Sequence, residues 1–297
     1  MILVEGTFDG KKYTEPFSKG VLSRSLTRAE VGITKAYDIA IKIESKLKEQ
    51  NIDIITTEKL VEYTIKEIKK EDPEIAEKYM NWRKIRRRKE PLIILIGGAS
   101  GVGTSSIAFE LANRLGIKNM ISTDMIREVM RKIVSKELSP VIHESSYTAH
   151  NVLRIPPPLD YDPTIAGYKS HIETVNIGVE AVIERAITEG INIIIEGVHL
   201  VPGFIRQDIL DKDNVMMFTL SLEDEEMHKG RLFSRCRDAG TGRPLQRYLD
   251  NFDSIRKIHQ YTIQQSKINN IPIIENVVVM DTIYLMIQYI SKKYGEI

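Results

Sequence analysis

Cysteine occurs once in 297 residues, at Cys236, which excludes an intramolecular disulfide and any cysteine-rich metal site. Net charge is nearly absent: 42 basic side chains stand against 41 acidic ones, for a formal +1. So even a balance gives no bulk attraction for nucleic acid or for an acidic membrane. Long apolar runs are missing as well. Stretches such as Leu92–Ile96 and Ile191–Ile195 are five residues long, and crossing a bilayer takes about 20. The opening residues lack the basic start, apolar core and cleavage site of a secretion signal, so a cytoplasmic protein is the expectation. There is no internal repeat and no low-complexity tract.

What is present suffices for a proper core, with 42% hydrophobic residues, and excludes a disordered chain. At roughly 150 residues per domain, the length suits one large or two modest domains. The distribution of charge favours two. Residues 1–90 hold 20 basic and 16 acidic side chains, leaving 22 and 25 for the remainder.

The segment 1–90 opens with an extended stretch, Ile2–Val4, and a turn at Asp9-Gly10. Ile33, Ala36, Tyr37, Ala40, Ile41, Ile43 and Leu47 then recur at helical spacing. A second helix is expected over Thr57–Lys70, and a third from Pro73, a favourable first-turn residue, through Trp82. This small, mainly helical unit ends in six basic residues out of seven, Arg83–Lys89. That run suits a solvated helix end or linker; with no interleaved aromatics it gives little support to a nucleic-acid contact.

After Glu90-Pro91 the pattern becomes strand and helix in alternation. Leu92–Ile96 and Ile191–Ile195 read as buried strands, and Asn119–Ser122, Val215–Leu220 and Ile271–Ile274 as further strands of the series. Between them lie helices marked by Ile107–Leu115, by Met125, Ile126, Val129, Met130, Ile133 and Val134, and by Ile172–Ile187, with a loop-rich stretch at 135–170. The expected fold is α/β, a parallel sheet with helices on both faces. The expected domains are 1–90 and 91–297.

The first strand leads into Gly97-Gly98-Ala99-Ser100-Gly101-Val102-Gly103-Thr104-Ser105-Ser106. A phosphate-binding loop has glycine, four residues, glycine, lysine, then serine or threonine. Gly98, Gly103 and Ser105 meet that spacing, but Thr104 stands where the lysine belongs. Glycines let backbone N–H groups turn inward around a phosphate chain, and the following helix adds its positive end. The candidate ATP contacts are Gly98, Ser100, Gly101, Val102, Gly103, Thr104, Ser105 and Ser106, with Ser105 also a ligand for Mg²⁺ or another divalent cation. A tight strand–helix turn would use small residues too, and the missing cation must come from elsewhere.

Asp124 falls at a strand end and first helical turn, where it suits either a helix cap or a group that orients or deprotonates an attacking hydroxyl. Arg127 and Arg131, four apart, are candidates to grip an acidic substrate. Glu196 ends a buried strand beside Gly197 and is a candidate for acting on Mg²⁺ or its water. His199 suits an anion contact or a structural role. Arg231, Arg235, Arg237, Arg243 and Arg247, with Gly240, Gly242 and Pro244 among them, suit an exposed basic helix or a lid whose arginines stabilise a transferring phosphoryl group.

The combination of GGASGVGTSS, STDMIREVMR, IIIEGVHLVPG and GRLFSRCRDAGTGRP, in that order across 91–297, resembles the archaeal 2-phosphoglycerate kinase family. The resemblance implies an adenylate-kinase-like phosphate-loop fold. It implies transfer of the ATP γ-phosphoryl group to 2-phosphoglycerate, giving 2,3-diphosphoglycerate for the thermoprotective solute cyclic 2,3-diphosphoglycerate. The N-terminal segment resembles an ATP-cone, a regulatory nucleotide-binding module, through Asp9-Gly10, Glu15-Pro16-Phe17, Ser25-Leu26, Ile43-Glu44 and the Tyr79 region. It departs from that pattern at Thr7-Phe8 and Val21, where phosphate-binding cations are usual. The residues by themselves leave two other readings open: a kinase for another small hydroxylated anion or nucleotide, and a non-catalytic ATP sensor.

Overall fold

A computed structural model describes residues 2–8, 10–29, 31–86, 90–238 and 245–295. Its first elements are more extended than the sequence suggests. β1 (Leu3–Phe8) pairs antiparallel with β2 (Lys11–Pro16) and parallel with the short β3 (Ile54–Thr56), in the order β2-β1-β3. Every residue of β2 is exposed, so it carries no alternating apolar signal. Around this sheet lie α1 (Lys19–Arg28), α2 (Ile33–Glu49), α3 (Thr57–Glu71) and α4 (Pro73–Arg86). Ser18 caps α1 by accepting from Val21 N, and Thr56 does the same for α3 from Lys59 N. Leu26, Ala36, Ala40, Ile43 and Leu47 are wholly buried with Tyr79 and Trp82, whose rings stack 6.1 Å apart. Arg87, Arg88 and Lys89 of the basic run, and Asp9 of the expected turn, lie outside the described residues.

The remaining elements build a second unit, except that Arg114–Gly116 and Ile287–Ile297 group with the first. They are β4 (Ile93–Gly97), α5 (Thr104–Leu115), β5 (Asn119–Ser122), α6 (Thr123–Ile133), α7 (Pro163–Thr188), β6 (Ile193–Gly197), α8 (Gln207–Leu210), β7 (Val215–Ser221), α9 (Glu225–Asp238), α10 (Leu245–Asp250), α11 (Phe252–Ile268), β8 (Ile273–Glu275) and α12 (Val279–Gly295). The five strands form an all-parallel sheet in the order β5-β6-β4-β7-β8. β4 is central and buried along its whole length. Ile93 and Leu95 face a cluster that includes Val175, Val179 and Ile183 of α7, while Ile94 and Ile96, on the opposite side, are equally buried. Helices on both faces cover such a sheet, as an all-apolar parallel strand requires. By contact density, Arg114–Gly116 and Ile287–Ile297 group with Met1–Arg88, and Lys89–Asn113 with Ile117–Met286.

Two local expectations are corrected. α7 starts at Pro163, inside the stretch that reads as loop, because Asp162 caps it by accepting from Thr164 N (2.8 Å) and Ile165 N (3.3 Å) ahead of a first-turn proline. The apolar stripe of α6 is not a buried face throughout. Ile126 is 6% exposed, but Met125, Val129 and Ile133 are 63%, 61% and 78% exposed. α1, α11 and α12 have no counterpart in the sequence reading.

Candidate active site

Three strand ends meet along one edge of the five-stranded sheet. The register sets Ile96 opposite Glu196 and Gly97 opposite both Gly197 and Thr219. The chain runs out to β5, returns through β6 and then crosses to β7, so the order reverses about β4. A crevice at such a point is where open α/β sheets take ligands. Here it is a cleft of about 520 Å³, walled by Gly98–Gly101, Gly103–Ser106, Ser122, Asp124, Glu196–Val198, Arg231, Ser234, Asn276 and Val279.

The glycine loop occupies the floor. Gly103 has φ +98°, a conformation that any side chain resists. The first amides of α5, at Thr104, Ser105 and Ser106, have no partner within the helix and sit at its positive end. Val102 departs from its expected place among the ligand contacts. Its side chain is fully buried and its N–H donates to Ala99 O at 3.3 Å. Its carbonyl accepts from Arg231 Nη1 (3.1 Å) and Asn276 Nδ2 (2.8 Å), so it shapes the loop from behind.

Glu196 is 4% exposed and faces the loop. Thr104 Oγ1 donates to one of its oxygens at 2.7 Å and Ser105 Oγ to the other at 3.0 Å. The position that lacks a lysine thus carries a hydroxyl committed to a carboxylate. A carboxylate and a hydroxyl are the hard oxygen donors that Mg²⁺ takes, its other positions going to waters and substrate phosphates. Ser105 and Glu196 fit such an ion. Among the described residues, no group of three or more His, Cys, Asp and Glu gathers to hold a metal by itself.

Asp124 stands in the first turn of α6 with its side chain 47% exposed. It is not the cap: Ser122 Oγ accepts from Met125 N at 3.2 Å and fills that role. Gly197, at φ +139°, lets the turn after β6 pass close to α6, since a methyl group there would come within 2.1 Å of Thr123 Oγ1. Asp124, in the helical turn that follows β5, and Glu196, at the end of the adjacent β6, therefore both reach the cleft.

The expected substrate cations lie elsewhere. Arg127 is not part of the cleft wall. Its Nη1 donates to Glu144 O at 2.6 Å and its Nη2 is 3.6 Å from Asp124, which places it behind the carboxylate. Arg131 is also absent from the wall and is engaged by Glu128 at 2.7 Å. His199 is corrected too: it is fully buried, with Nδ1 2.6 Å from Thr123 Oγ1 and its ring edge-on to His171 at 4.9 Å. Burial, with the charge of Arg127 nearby, lowers its pKa to about 3, so at neutral pH it brings no positive charge to a substrate.

Of the arginine-rich segment, Arg231 reaches the cleft, with Nη1 on Val102 O and Nη2 on Val277 O at 3.0 Å. Arg237 and Arg247 are exposed, and the side chain of Arg235 lies outside the described part of the chain, as do Gly240, Gly242, Arg243 and Pro244. Asn276 and Ser234 also line the wall; Asn276 belongs to no motif, and Ser234 lies within the arginine-rich motif, where the arginines draw the attention.

The ATP cone domain family matches residues 9–88. A 2-phosphoglycerate kinase from Methanothermobacter thermautotrophicus is 63% identical over 98% of this chain and 95% of its own length. Another from Methanopyrus kandleri is 47% identical over 95% of this chain and 86% of its own. Among solved structures, a shikimate kinase from Acinetobacter baumannii in complex with shikimate matches at 15% identity and a TM-score of 0.42, over 70% of this chain and 97% of that one. That last likeness carries no weight for the site, whereas identity at this level along nearly the whole chain does decide ancestry. With its glycine loop, its paired carboxylates and an ATP cone ahead of them, the chain belongs to the 2-phosphoglycerate kinase family.

Proposed function

We propose that this chain transfers the γ-phosphoryl group of ATP to the free 3-hydroxyl of 2-phosphoglycerate, giving 2,3-diphosphoglycerate and ADP. The observation that carries the reading is the meeting of a glycine loop, Glu196 and Asp124 in one cleft, in a chain 63% identical to a kinase of that name.

The amides of Gly101, Gly103, Thr104 and Ser105 hold the phosphates, and Gly98, Ser100 and Ser106 complete the wall around them. Asp124 orients the acceptor hydroxyl and takes its proton. The hydroxyl oxygen attacks the γ-phosphorus as the bond to the bridging oxygen breaks, and ADP leaves. Ser105 and Glu196 would hold Mg²⁺, whose charge neutralises the phosphates when bound. Arg231, bonded to the loop through Val102 O, supplies a cation beside the phosphates, and Arg235, Arg237 and Arg243 of the same arginine-rich stretch of sequence are assigned to the transferring group. Arg127 sets the carboxylate of Asp124. The functional division falls at residues 1–90 and 91–297, the first part taking a regulatory nucleotide.

Incubation with ATP, Mg²⁺ and either 2- or 3-phosphoglycerate, followed by ³¹P NMR, tests the proposal. Conversion of the 2-isomer is expected. ATP consumption with the 3-isomer alone, or with neither, overturns it.

A further inference from the structure

The loop that lacks a lysine has its carbonyls held from outside. His228, fully buried on α9, has Nε2 2.8 Å from Ser100 O. Its other nitrogen, Nδ1, lies 3.3 Å from Arg256 Nη1. A guanidinium only donates, so Nδ1 is the acceptor, and Nε2 carries the hydrogen that goes to Ser100 O. Arg256 is fixed in turn: it donates to Leu222 O (2.7 Å) and Glu223 O (2.9 Å) and pairs with Glu225 (3.4 Å). On the far side Asn276, 1% exposed, donates Nδ2 to Val102 O at 2.8 Å. Val102 O only accepts, so the NH₂ end of the amide faces the loop, and Thr282 Oγ1, 3.1 Å from Asn276 Oδ1, is placed to hold the other end.

In a trans peptide the C=O and the following N–H point in opposite directions. Pinning Ser100 O towards His228 therefore turns the N–H of Gly101 the other way, and pinning Val102 O towards Asn276 and Arg231 does the same for Gly103. Both glycines line the cleft. We propose that His228, oriented by Arg256, and Asn276, oriented by Thr282, are positioning residues that hold the peptide planes of the loop so that the Gly101 and Gly103 amides face the ATP phosphates. The inference rests on the reading of Gly98–Ser106 as the nucleotide cradle.

Two measurements test it. His228→Leu removes the donor, whereas His228→Gln keeps an N–H near the position of Nε2. The Leu variant is expected to raise the KM for ATP about threefold to tenfold, the value of one lost hydrogen bond, with the KM for 2-phosphoglycerate unchanged and the Gln variant close to the parent. Equal changes in both KM values, an unchanged KM for ATP, or no recovery with Gln overturns the assignment. In the parent protein, amide NMR during titration with an imido-bridged ATP analogue and Mg²⁺ gives the second readout. Gly101 and Gly103 are expected to shift along with Thr104–Ser106. Shifts confined to Thr104–Ser106 overturn the inference and leave the cradle standing, while no shift between Gly98 and Ser106 removes the cradle and the inference with it.

Discussion

Asp124 and Glu196 reach one cleft, yet their surroundings set them to different tasks. Glu196 has both oxygens engaged by hydroxyls of the loop, which leaves it to bind and orient. Asp124 is half exposed, with Arg127 3.6 Å away on its far side, and is open to an incoming hydroxyl. Asp124→Asn keeps the shape and removes the proposed base, so kcat should fall roughly 10²- to 10⁴-fold while the melting temperature stays within a few degrees. Steady-state rates beside a thermal melt check this; a variant that keeps its rate removes Asp124 from the mechanism. If Glu196 holds the proposed Mg²⁺, Glu196→Gln should raise the Mg²⁺ needed for half-maximal rate about 10- to 100-fold. A Mg²⁺ titration that superposes on the parent's would contradict that role. The acceptor cations illustrate how far sequence carries at this scale. Arg127 and Arg131 share a helical spacing that suits a grip on an anion, but the Glu144 carbonyl engages the first and Glu128, three residues back on the same helix, engages the second, so spacing alone does not show whether a cation is free for a ligand.

Among elements, legibility follows burial. β4, β6 and β7 are largely apolar, and buried at nearly every position, because both faces of a parallel sheet are covered, and each is readable within two residues. β2 is exposed at every position and left no periodic trace. α11 buries Arg256, His259, Thr262 and Ser266, so its inward face does not look apolar. Asn276 and His228 reach the loop across more than 100 residues of chain, a separation that no local motif encodes. For α6 the periodic pattern misleads about which side faces inward, and this can be checked. Ile126→Ala should cost about 2–5 kcal/mol, as for a buried isoleucine, whereas Ile133→Ala, at 78% exposure, should stay within about 0.5 kcal/mol. Chemical denaturation of both variants decides it: comparable losses would mean that α6 is turned the other way.

For the whole molecule, overall neutrality conceals a set of histidines that fold in uncharged form. His171, His199, His228 and His259, four of six, are buried. Burial lowers all four, to about 3 for His199 and about 4 for His259. The unfolded chain protonates them below about pH 6.5. Stability is therefore intact above that value, and drains as pH falls from 6.5 towards the folded values, because only the unfolded state takes up protons. The slope is about 1.4 kcal/mol per pH unit for each histidine that titrates this way. Urea midpoints between pH 7.5 and 5, above the range where carboxylates protonate, should fall steadily; a flat profile would show that the histidines are charged in the folded chain.

The central place of β4 has a consequence for how the protein is made. It pairs in the sheet with β6 and β7, and the nearer of them begins about 100 residues further along the chain. A ribosome adding about 5–20 residues per second takes roughly 5–20 s to cover that distance. For that interval the nascent chain carries a wholly apolar strand with both edges bare, the kind of segment to which another chain adds itself. Synthesis is the stage at which this protein is most exposed to aggregation, and anything that shields residues 93–97 until residue 197 has emerged should raise the soluble yield without altering the finished enzyme.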